Sequence, residues 1–177
     1  MASTTIDTKI NPLEWALRVV ESIAFSIHGI LGMMEPFTGC VQSSFQDKCG
    51  AMPAWFWPVA GILLWTVAIA NFSKNGEVVL GAQAYIAAFH MGGVFYHLRL
   101  GHHLLVGCAP GIFVVFAFII TAIRTNSVLV AFGGLLACTV VAFLLSRILV
   151  TPPPTTDDEN QQGAILLGMG ENNDTSS

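Results

Sequence analysis

The sequence predicts an all-α integral membrane protein, a bundle of five transmembrane helices. Three observations carry this. Apolar residues make up 54% of the 177-residue chain and charged residues only 10%. About a quarter of a soluble domain is charged, so this chain has too little charge to cover a water-facing surface. Mean hydropathy is +0.67, and the apolar stretches approach the roughly 20 residues that a bilayer-crossing helix needs.

Residues 1–11 form a polar N-terminal arm. The first ten residues are polar and the first apolar stretch has no small-residue cleavage pattern, so no cleavable signal peptide is expected. No lipidation box and no internal repeat is evident. Asn11-Pro12-Leu13-Glu14 reads as a helix start, with Asn as N-cap and Pro in the first helical position. The first helix is expected over 12–34. Glu14 and Arg18 stand four apart, and Arg18 and Glu21 three apart, which allows a local charge network at the membrane interface.

Residues 35–53 read as a loop containing Cys40 and Cys49. The second helix, over 54–72, opens on Trp55 and Trp57, which suits an aromatic belt. A short turn leads to the third helix over 77–98. Helix four is expected over 104–124, with Pro110 near its beginning, and helix five over 127–150 after the tight link Arg124-Thr125-Asn126. Thr151-Pro152-Pro153-Pro154 stops the last helix, and residues 151–177 read as a disordered acidic tail. That tail, through Asp157, Asp158, Glu159, Glu171 and Asp174, supplies most of the net charge of -4. No basic patch argues for a nucleic-acid partner.

Lys9, Arg18, Lys74 and Arg124 would lie on the N-terminal face, and Lys48, Arg99 and Arg147 on the other. The small excess places the N-terminus in the cytosol. Cys40 and Cys49 would then face a lumen or the exterior, where a disulfide can form; free thiols are the alternative. The sequon Asn173-Asp174-Thr175 would share that side, whereas Asn71-Phe72-Ser73 would be cytosolic and too close to the bilayer for glycosylation.

The chemistry concentrates on a seam. Gln83, His90 and His97 recur every seven residues, close to two helical turns, and therefore project from one stripe. Helix one has the same period through Glu14, Glu21, His28 and Glu35. Polar groups within a membrane are costly and need partners. Matching depths at about 1.5 Å per residue sets His28 against His90 or His97, and Arg18 against Glu77. Helices one and three are thus expected to face each other, helped by Gly29, Gly32, Ala87, Gly92 and Gly93. The seam can be read as packing alone, as a pocket for a quinone head group or similar ligand, or as a haem site between His28 and His90. No metal site is expected, since no Cys or carboxylate lies at ligand spacing around these histidines.

Arg18 with His28-Gly29, the opening Glu77-Val78-Val79-Leu80-Gly81, and the run from Ala84 through His90-Met91-Gly92-Gly93 to His97-Leu98-Arg99 resemble the DoxX-like family of small polytopic membrane proteins. The resemblance covers roughly residues 12–124; the Cys-containing loop, the fifth helix and the tail lie outside it. It implies a compact four-helix bundle with Arg18, His28, Glu77, His90 and His97 at the family's polar positions. Functions in that family range from a subunit of a thiosulfate:quinone oxidoreductase, through redox and oxidative-stress complexes, to assembly of nicotinic receptors in the endoplasmic reticulum. The expectation is a non-catalytic accessory or assembly subunit of a larger membrane complex. The alternative is a redox-associated subunit binding a quinone in the seam. Sparse intramembrane charge and the lack of repeats argue against a channel or transporter. The expected partners are the bilayer and other membrane-protein subunits.

Overall fold

The structure, a computed structural model, describes residues 11–38, 52, 53 and 55–150, with backbone alone for 35–38. The expected polar arm, the Cys40–Cys49 pairing, the Asn173 sequon and the acidic tail lie outside the described residues. All regular structure among the described residues is helical: α1 (Pro12–Thr38), α2 (Phe56–Ala70), α3 (Gly76–Arg99), α4 (Leu104–Cys108), α5 (Gly111–Thr125) and α6 (Val128–Leu149).

Four segments are long and apolar enough to cross a membrane: Pro12–Met34, Gly76–Arg99, Leu104–Thr125 and Val128–Leu149. Their outward faces carry large apolar side chains, such as Leu129 at 84% and Ile148 at 77% exposed. Such a surface would be unstable in water but is well solvated by lipid. The protein is therefore a multi-pass membrane bundle.

The helix ends follow local chemistry. Asn11 Oδ1 accepts from the Leu13 amide at 2.9 Å, and Asn75 Oδ1 accepts from the Glu77 amide at 2.9 Å. Ser127 caps α6 by accepting from the Val130 amide. The α5–α6 hairpin turns on Asn126, whose φ of 50° lies in the left-handed region.

Three expected boundaries are corrected. α1 continues to Thr38, past Pro36, instead of ending at Met34. The second helix spans only Phe56–Ala70 rather than 54–72. Its 15 residues rise about 22 Å, less than the ~30 Å hydrocarbon layer. The fourth helix is broken at Ala109-Pro110 into α4 and α5. Pro110 is the seventh residue of the expected helix, too deep for the first turn, where a missing N–H is harmless.

α2 runs antiparallel to α1 and is its main neighbour, while α3 packs chiefly on α6 and α5. The α1–α2 approach is set by small residues. A Cβ on Gly61 would lie 2.6 Å from both the Gly29 carbonyl oxygen and the Met33 nitrogen. Between the helices, Phe25, Leu64, Val67, Ala82, Ile86 and Ala117 form the apolar core. In lipid, this contact stabilises through close packing rather than through exclusion of water.

Candidate functional site: a polar knot and an apolar cavity

The polar seam divides into three layers. At the end where α1 begins, Glu14 Oε1 accepts from Arg18 Nη1 at 3.1 Å and from Arg124 Nε at 2.6 Å. Both Glu14 and Arg18 are buried. One carboxylate thus holds two guanidinium groups and ties α1 to the C-terminal turn of α5. The expected Arg18–Glu77 pairing is replaced by this one. Glu77 instead sits exposed in the first turn of α3, where its charge favours the helix dipole.

Two turns deeper, Glu21 Oε2 accepts from Asn71 Nδ2 at 3.0 Å and from Gln83 Nε2 at 2.9 Å. Gln83 Nε2 also donates to Asn71 Oδ1 at 2.8 Å. All three residues are at most 1% exposed. This knot ties α1, the end of α2 and α3 together. Asn71 ends α2 here and is consumed by the knot, which is a firm physical reason for its sequon to remain unmodified.

The third layer is aromatic. His90 is 4% exposed. Its ring packs 4.9 Å from Phe25, 4.9 Å from Phe113 and 5.3 Å from Phe89, measured between centroids. His90 Nδ1 lies 2.9 Å from the Ile86 carbonyl oxygen. A carbonyl can only accept, so Nδ1 carries the proton. His90 Nε2 is buried without a hydrogen-bond partner.

Beyond His90, between the α1/α2 pair and α3/α6, lies a cavity of about 410 Å³. Its walls are largely apolar and aromatic, with Trp57, Tyr85 and Phe89 among them, and His28, His90 and His97 all contribute to its lining. At its far end Tyr96, Leu100 and Val150 cluster with Met52. There His97 Nδ1 meets His102 Nδ1 at 2.7 Å, and Arg99 Nη1 donates to the Ser146 carbonyl at 2.6 Å.

The predicted stripe is real: Gln83, His90 and His97 are all buried. They nevertheless serve three environments, namely the knot, the aromatic cage and the His97–His102 pair. The expected facing of helices one and three is corrected in one respect. Their backbones are held apart, and long side chains bridge them, Glu21 to Gln83 and Phe25 to His90. Gly29 and Gly32 let α2, not α3, approach α1. Phe25 meets His90 at equal depth and Glu21 meets Gln83 within a turn of its own level, pairs the depth match did not name, while Arg18 pairs with Glu14 and not with Glu77. The ring on His90 is Phe25 rather than His28, which is exposed on α1 and lines the shared cavity.

Asn71, Arg124, Phe25 and Phe113 complete these layers and went unassigned in the sequence. Asn71 had a signal, as a polar residue directly after an apolar run, but it also read as part of a sequon. Cys108 is exposed and Cys138 half-buried. Among the described residues, no group of three His, Cys, Asp or Glu could hold a metal ion. A scan against protein-family models and searches of curated proteins and solved structures found no match.

Proposed function

We propose that this chain is a non-catalytic subunit of a larger membrane complex, and that it holds a membrane-soluble aromatic ligand of the quinone class in the cavity beside His90. One observation carries the reading: a 410 Å³ cavity with apolar walls borders a buried imidazole whose Nε2 has no partner. Ligand sites combine an apolar enclosure of roughly 300–1,000 Å³ with a few fixed polar groups, as this cavity does. The Glu14–Arg18–Arg124 pairing and the Glu21 knot support a rigid scaffold around it. Glu14 Oε1, Glu21 Oε2, Asn71 Nδ2 and Gln83 Nε2 are engaged with other protein groups, whereas Arg18 Nε, Glu21 Oε1 and Gln83 Oε1 are buried without a hydrogen-bond partner and lie away from the cavity lining. The likeness to the DoxX-like family and a cytosolic N-terminus belong to the same proposal. A protease-protected C-terminal tag in sealed, cytosolic-side-out vesicles is the expected result for that orientation.

Native mass spectrometry after mild detergent extraction from the source membrane tests the function. The expected spectrum shows a reproducible small-molecule adduct and a stoichiometric protein partner. Gly92→Leu should remove the adduct while leaving the fold intact. Gly92 lines the cavity, and a Cβ there meets no atom within 4 Å. A bare monomer, or an adduct untouched by Gly92→Leu, would overturn the ligand-binding reading.

A further inference from the structure

We infer that the cavity selects a ligand that donates a hydrogen bond, a phenol or quinol O–H, over the corresponding quinone, ether or ester. The inference rests on the ligand-binding reading above and adds the chemistry of its polar contact.

The argument runs from the backbone outward. The Ile86 carbonyl lies one helical turn before His90 and fixes the imidazole proton on Nδ1. A neutral ring so oriented presents Nε2 as a lone-pair acceptor. Reversing the tautomer would set the Nδ1 lone pair against the Ile86 carbonyl oxygen at 2.9 Å, which is repulsive. Rotation of the ring is opposed by Phe25 and Phe113, both at 4.9 Å, and by Phe89. In the closed cage the acceptor is therefore held in orientation as well as in protonation. A quinone offers only carbonyl oxygens, which would meet Nε2 lone pair to lone pair. Its reduced form offers an O–H of the required sense. Tyr85 and Phe89, stacked at 5.9 Å with 17° between their planes, give the cavity flat aromatic wall beside His90. An aromatic alcohol suits that wall better than a flexible acyl chain does. Nε2 is fully buried, so a ligand reaches it only when the aromatic cage opens by a change of side-chain rotamers, a kind of change common on binding.

The test compares 4-octylphenol with 4-octylanisole, which share a shape but differ in the donor. Binding to the purified full-length protein in lipid nanodiscs is followed by calorimetry. The phenol should bind about tenfold more tightly, the worth of one buried neutral hydrogen bond. The ¹⁵N resonance of His90 Nε2 should shift with the phenol and not with the ether. His90→Phe should bring the phenol down to the ether's affinity while leaving the ether unchanged. The wild-type comparison stands even where that variant does not fold. Saturable binding of both compounds with equal affinity would overturn the donor inference and leave the cavity reading intact. Binding of neither would overturn both. A decylquinol preferred over its quinone under anaerobic conditions would extend the result to the quinone class, and the reverse preference would refute it.

Discussion

Gly61→Ala is the sharpest perturbation of this fold. The added methyl would stand 2.6 Å from the Gly29 carbonyl oxygen and from the Met33 nitrogen, both of them backbone atoms that cannot rotate away. Ordinary contact begins near 3.4 Å, so α1 and α2 must separate by about 0.8 Å. The Asn71–Glu21 bond at 3.0 Å and the Ser22–Ala68 bond at 3.1 Å span the same pair of helices. A rigid separation of that size would stretch both past the limit of hydrogen bonding. Overpacking costs about 1–3 kcal/mol, and interhelical hydrogen bonds in membrane proteins average about 0.6 kcal/mol each. The expected loss is therefore about 2–4 kcal/mol. Gly133→Ala is the control: it makes the same chemical change, and its Cβ meets nothing within 4 Å. Reversible unfolding of both variants in mixed micelles, by steric trapping or denaturant titration, reads the difference. Equal stability of Gly61→Ala and Gly133→Ala would refute the claim that backbone contact between α1 and α2 fixes the bundle.

Two further predictions concern groups that the chain has placed with little tolerance. Glu21→Gln keeps an acceptor for Asn71 and Gln83 and should lower stability little. Glu21→Leu strands the Asn71 Nδ2 donor and should cost about 1–3 kcal/mol, measured in the same unfolding assay. At the α5–α6 hairpin, Asn126→Gly should be tolerated. Asn126→Val should cost about 1–2 kcal/mol, because a β-branched residue strains at positive φ; a thermal melt in detergent separates the two.

Much of this protein was determined by sequence alone. Composition decides the solvent, because 10% charge cannot cover a water-facing surface. Periodicity decides which residues turn inward, because residues seven apart stay on one face of a helix whatever packs against it. Gln83, His90 and His97 are buried on that ground, and a constant rise per residue sets α1 and α3 side chains at comparable depths without naming the pairs. What periodicity leaves open is the identity of the neighbour. Gly29 and Gly32 permit a close approach by any small-faced helix, and only the folded chain shows that Gly61 of α2 takes it. Arg18 had carboxylates within reach on two helices, and the arrival of Arg124 from the distant hairpin left it sharing Glu14. The cavity has no sequence signature at all. It exists because α1 and α2 close on each other, while α3 closes on α5 and α6, and the space between the two groups is left for His90 to border. That division is a property of three-dimensional packing, and it turns a stripe of polar residues into a knot at one depth and a candidate binding site at the next.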